Sequence, residues 1–177
     1  MTPYNNPAFL LFRMATLSEY RLGWPTGERN LMLVSVGTGA SAVLGANASD
    51  PSQNLLSNVA GIPGALMNGA QVDQDVNCRT VGRCLFGAPI DRELGDLISR
   101  RDGQPIPVEE DLGRAFLYAR YNADLSREGL DALGLRDLDP EKVQKLDSVE
   151  FIGDLARVGK AVATQVRMRD FGPLVTG

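Results

Sequence analysis

Histidine is missing from all 177 residues. That excludes every Ser-His-Asp or Cys-His nucleophile pair and any zinc site that needs an imidazole ligand. Cysteine is scarce: Cys78 and Cys84 match no zinc spacing, and they read as two separate thiols of a reducing compartment, not as a disulfide framework. Excess positive charge is absent too, since 18 Lys and Arg stand against 22 Asp and Glu for a net charge of −4. With no basic cluster along the chain, nucleic acid is not an expected partner. Long apolar runs are also lacking. The first twenty residues, MTPYNNPAFLLFRMATLSEY, have no basic leader, and their apolar run is too short to span a bilayer. Neither a signal peptide nor an anchor is expected, so the expected location is cytoplasmic, at most peripheral at a membrane. Internal repeats, low-complexity tracts, a G-x-S-x-G elbow and a G-x-x-x-x-G-K-[ST] phosphate loop are all absent.

What remains is globular: 44% hydrophobic and 23% charged residues suit one domain over residues 1–177. Its organising stretch is residues 31–39, LMLVSVGTG. An uncharged apolar run closed by Gly37-Thr38-Gly39, after a polar turn at Gly27-Glu28-Arg29-Asn30, predicts a parallel strand buried on both faces and interior to its sheet. Such a strand needs parallel neighbours and covering helices, which makes the fold class α/β.

The chain in order supplies those helices. Asn6 and Pro7 predict a cap and first helical position, with a helix over residues 8–20 that is buried nearly all round at least in its first turns and ended by Gly23-Trp24-Pro25. After a small-residue loop over residues 40–49, Asp50-Pro51-Ser52-Gln53 predicts the start of a second helix. That helix should be kinked or broken at Gly61-Ile62-Pro63-Gly64 and run on to about Thr80, with Asp73, Asp75 and Arg79 on its wetter side. Cys84 to Gly87 fits either an edge strand or a loop, Arg92 to Ile98 a short helix, and Ser99 to Glu110 a surface loop. AFLYARY, residues 115–121, reads as a second strand closed by Asn122-Ala123-Asp124. Ser126 and Asp139-Pro140 each open a short helix, and Asp147 with Glu150 forms a capping-box pattern. The last helix should carry Phe151, Leu155, Val158, Val162 and Val166 as one apolar stripe.

These residues assign no catalytic, cofactor-binding or metal-binding position, and no cofactor is expected. Gly37-Thr38-Gly39 is foremost a tight strand-to-loop turn and only secondarily a phosphate cradle. The acid pairs Glu109-Glu110 and Asp73 with Asp75 read as solvated.

Two motifs in order carry a resemblance. Thr2-Pro3-Tyr4-Asn5-Asn6-Pro7-Ala8-Phe9-Leu10, followed by Leu33-Val34-Ser35-Val36-Gly37-Thr38-Gly39, resembles the bacterial patatin-like phospholipases, which are serine acyl hydrolases. In that family an N-N-P helix start follows an Asp-Gly-Gly or Asp-Gly-Ala motif and precedes a strand ending S-[LVI]-G-T-G. The likeness extends through Asp91-Arg92-Glu93 and Tyr121-Asn122-Ala123 to the last helix. It implies a three-layer α/β/α fold with a Ser-Asp dyad, the serine on a G-x-S-x-G elbow, a glycine-rich oxyanion loop, and the aspartate of D-G-G as base. Those parts would all lie upstream of Met1, so no catalytic residue carries over. Asn5-Asn6-Pro7 and Gly37-Thr38-Gly39 would stand near the aspartate and support it.

The resemblance therefore implies the C-terminal part of a lipid acyl hydrolase, inactive alone, with an incomplete sheet. Its implied partners are a lipid or other ester substrate and the missing N-terminal segment. The apolar stretch with Leu55, Leu56, Val59, Ile62, Leu66 and Met67 reads first as core and secondly as a border of an acyl-chain pocket in contact with a membrane surface. A non-catalytic binding or interaction module on the same scaffold is the alternative, and a nucleotide-binding fragment using Gly37-Thr38-Gly39 a third reading.

Overall fold

The computed structural model describes residues 6–40, 55–145 and 149–174, with the side chains of residues 55–65 left aside. The element order is α1 (Ala8–Thr16), β1 (Met32–Val36), α2 (Leu55–Val81), β2 (Arg83–Phe86), β3 (Arg100–Arg101), β4 (Gln104–Pro105), β5 (Leu117–Tyr121), α3 (Arg127–Ala132), α4 (Pro140–Val143) and α5 (Ile152–Ala163). Short 3₁₀ segments, Ser18–Tyr20 and Met168–Leu174, complete it. Helices with a small parallel sheet make an α/β fold. Contacts divide the chain into two compact units, one of Met1–Val36, Gly69–Tyr121 and Arg167–Gly177, the other of Gly37–Asn68 and Asn122–Val166.

The first unit is built on three parallel strands in the order β1-β5-β2. The centre belongs to β5, not to β1. All five residues of β5 are buried, as a strand covered on both faces requires. The two-face-covered reading of residues 31–39 is corrected here: among the described residues β1 stands at the edge of the sheet, with Leu33 and Ser35 buried while Val34 and Val36 are exposed. Its side chains alternate, and among the described residues only the Leu33 side has a covering layer. That layer packs Ala8, Phe9 and Cys78 against Leu33, Cys84, Phe116 and Tyr118. On the opposite face the 3₁₀ segment Met168–Leu174 brings Phe171 toward Tyr121, with Gly172 pressed close to Leu117.

Several expectations change in detail. Helix α1 stops at Thr16 and buries Ala8, Phe9 and Ala15 but leaves Leu11, Met14 and Leu17 exposed, so it has one inward face and is not buried all round. Helix α2 runs from residue 55 to 81 across Gly61-Ile62-Pro63-Gly64, so of the two alternatives, kink or break, the break does not occur. A proline there costs one backbone hydrogen bond, which the flanking turns outweigh. The Asp50-Pro51-Ser52-Gln53 cap and residues 41–49 of the loop lie outside the described residues, as do Asn5 of the Asn5-Asn6-Pro7 motif and Asp147 of the capping-box pattern. Residues 92–96 form turns, not a helix, with Gly95 and Leu97 at positive φ. Residues 99–110 contain a hairpin, β3 with β4, closed by Asp102-Gly103 at φ 50° and 78°. An Asp-Gly pair is the turn chemistry that such a two-residue connection demands. Cys84 to Gly87 resolves toward the strand alternative, β2.

The second unit has its own core: Ala123, Leu125, Leu130, Leu138, Val143 and Val158, with Leu155 and Val162 packed beside it. Its helix starts follow the sequence signals. Ser126 Oγ accepts the Gly129 N–H at 3.1 Å, and Asp139 Oδ1 accepts that of Glu141 at 3.0 Å. Helix α5 is shorter than its stripe: it ends at Ala163, and Val166 is left exposed beyond it.

Candidate functional site

In parallel sheets, ligand crevices open beyond the carboxyl ends of the strands. At that end of β1 and β5, Ser35 and Arg120 are register partners on one buried face. The Arg120 guanidinium donates to Ser35 Oγ at 2.5 Å, and Ser35 Oγ donates onward to Asn6 Oδ1 at 3.1 Å. Asn6 Oδ1 also accepts the Ala8 N–H at 3.3 Å, which caps α1 as its sequence position predicts. All three side chains are buried, at 2% exposure for Asn6, 7% for Ser35 and 5% for Arg120. The Asn6 Nδ2 has no hydrogen-bond partner among the described residues, and Arg120 makes no ion pair there. Ser35 is not built as a nucleophile. An amide oxygen receives its proton, and among the described residues no base is bonded to Ser35 to take that proton away.

A second polar cluster lies on the same face. Asp75 accepts from Arg79 at 2.8 and 3.1 Å and from the Tyr118 hydroxyl at 2.9 Å. Arg79 then reaches the backbone carbonyls of Ala88 and Asp96 at 2.9 and 2.8 Å. This corrects the placing of Asp75 and Arg79 on a wet helix side: both turn inward, because a fully paired ion pair can be buried where a lone charge cannot. Asp73 does stay exposed. Burial, with the Asp75 charge beside it, pushes the Cys78 thiol up to about 12, and burial pushes Cys84 up to about 11. Both thiols are free and neither is activated. Tyr118 is raised as well, chiefly by burial and then by Asp75.

A third buried pair was hidden in what reads as a plain polar turn. Glu28 is 2% exposed, bonded to Arg83 at 2.9 Å and to the N–H groups of Leu112 and Arg114 at 3.0 and 3.1 Å. Arg83 also donates to the carbonyls of Ile106, Pro107 and Glu110. Every partner is satisfied, so this is a structural clamp.

Compared with protein-family models, curated proteins and solved structures, the chain finds no match.

The motif residues singled out from the sequence fare differently. Gly39, at φ +98°, gives its N–H to Asn122 Oδ1 at 3.0 Å, and Ala40 bridges Asp124. That N–H is already committed, which favours the tight-turn reading over a phosphate cradle. Asp91 Oδ1 caps the turn at Glu93 and Leu94, while Glu109 and Glu110 stay exposed. Among the described residues no group of acidic or cysteine side chains could hold a metal ion, and no helix is long and apolar enough to cross a membrane. Arg120 is what sequence reasoning passed over. Its signal was present, as the single charge inside AFLYARY.

Proposed function

We propose that this chain is the C-terminal part of a patatin-like lipid acyl hydrolase, on a three-layer α/β/α scaffold whose nucleophile and base come from a segment outside these residues. The observation that carries the reading is the Asn6–Ser35 hydrogen bond, which joins the two motifs of the resemblance through side chains 29 residues apart. One further feature supports it. Edge strand β1 presents Val34 and Val36 without a covering layer among the described residues, as suits a sheet that another segment completes. In this reading the substrate is a phospholipid, acylglycerol or other ester, cleaved through an acyl-serine intermediate in the completed protein.

The chain alone is expected to give no p-nitrophenyl ester hydrolysis and no fluorophosphonate labelling above a heat-killed control. Co-expression with a segment that carries a glycine-rich loop, a G-x-S-x-G elbow and a D-G-G should restore both. Stoichiometric labelling of a serine in the 177-residue chain by itself would overturn the reading. A second reading, a non-catalytic binding module on the same scaffold, is favoured by the unpaired Arg120. Continued absence of both signals in a soluble co-expressed complex would move the preference to it.

A further inference from the structure

We propose that Arg120, Asn6 and Ser35 form a receptor for one oxyanion at the carboxyl end of β1 and β5. The inference rests on unmet donors. Arg120 is a permanent cation at 5% exposure, and its described hydrogen bond goes to a neutral hydroxyl. Burying a charge without an opposite charge is costly, and the other buried arginines of this chain avoid it: Arg79 has Asp75 and Arg83 has Glu28. Asn6 repeats the pattern, since its Nδ2 carries two N–H donors with no acceptor at 2% exposure.

The orientation of that amide is fixed. Turning it over would set its NH₂ against the Ala8 N–H, which needs an acceptor there. Ser35 Oγ stands one hydrogen bond from each group, which places the guanidinium and the Asn6 amide on either side of one hydroxyl.

An arginine fork and an amide NH₂ together offer donors and no free acceptor, the amide NH₂ being buried without a partner. The group that satisfies them is negative and has at least two oxygens: a carboxylate or a phosphate. A neutral hydroxyl or carbonyl would leave the charge uncompensated. The site belongs to this chain whether or not the acyl-hydrolase reading holds, and its ligand could be a free anion or an acid presented by another molecule.

The test is a titration of the full 177-residue chain with sodium phosphate and, separately, with sodium acetate, each at constant ionic strength set with chloride. The Asn6 side-chain amide and Arg120 Nε–H resonances report the site directly. Saturable shifts of both are expected with at least one of the two anions. Tighter phosphate would assign the site to a phosphate group, and tighter acetate to a carboxylate. Arg120→Gln should weaken the saturable binding by about tenfold or more, as loss of a charge-assisted hydrogen bond requires, while Arg101→Gln, an exposed arginine, should not change it. If Arg120→Gln does not fold, Arg120→Lys keeps the charge but not the fork and should weaken binding in the same direction. Linear, non-saturating shifts with both anions would overturn the proposal, as would equal affinity in the Arg120 and Arg101 variants.

Discussion

Replacing Glu28 by glutamine tests the interior most sharply, because the change keeps the shape and removes only the charge. In the native fold the carboxylate receives three donors: Arg83 Nη1 at 2.9 Å on Oε2, and the N–H groups of Leu112 and Arg114 on Oε1. The glutamine NH₂ must face one of these, so one donor-to-donor contact is unavoidable whichever way the amide turns. Arg83 keeps its carbonyl partners in residues 106, 107 and 110 but loses its ion-pair partner. Removing one partner of a buried pair costs about 3–5 kcal/mol, a large share of the roughly 5–15 kcal/mol that holds a domain together. Urea unfolding followed by circular dichroism should show that loss as a lower midpoint with an unchanged slope. Amide exchange at Leu112 and Arg114 should quicken in the same variant. Arg83→Met should cost more, since it strands the carboxylate and three carbonyls together. The comparison is Arg101→Ala, which removes an exposed pair with Glu110. A Glu28→Gln midpoint no lower than that of Arg101→Ala would show that the clamp is not buried, and the reasoning would fail.

The two thiols should resist a disulfide reagent at pH 8 in the native chain and react once urea unfolds it. Their folded values of about 12 and about 11 lie above the ordinary 9.0, so the folded state holds these protons more tightly. Their contribution to stability is therefore whole below about pH 9 and is lost as pH rises through about 11 and about 12. A melting temperature that climbs above pH 9 would contradict this. Gly39→Ala should cost about 1–3 kcal/mol, because φ +98° is strained for any side chain and the new Cβ would stand 2.6 Å from Leu125 Cδ1. Gly113→Ala, at φ +71° with nothing within 4 Å, should cost less, and equal losses would refute the clash. Val158→Ala should lose about 1–3 kcal/mol from the second core, whereas Arg157→Ala, in an exposed pair with Asp137, should leave the midpoint in place. Equal shifts would mean that the helix face is misassigned.

Local chemistry was legible in the residue order alone. Ser126, Asp139 with Pro140, and Asn6 before Pro7 mark helix starts because the side-chain oxygen that satisfies a free N–H lies within a few residues of it. The α/β class follows from two apolar strand runs set among helices, and the Asp102-Gly103 hairpin lies inside a stretch whose charge and prolines read as a surface loop. Strand order was not legible. An apolar run says that a strand is buried but not which neighbour lies on which side, so residues 31–39 passed for the centre when β5 holds it. The fate of the charges was also beyond reach. Glu28 lies 55 residues before Arg83, Asp75 lies 43 before Tyr118, and Ser35 lies 85 before Arg120. A charge on a turn or helix looks solvated until the fold brings its partner, because burial becomes affordable only when the opposite group arrives. Tertiary structure alone decided that Asp75, Arg79, Glu28 and Arg83 go inward fully paired, and that Arg120 goes inward with only a serine.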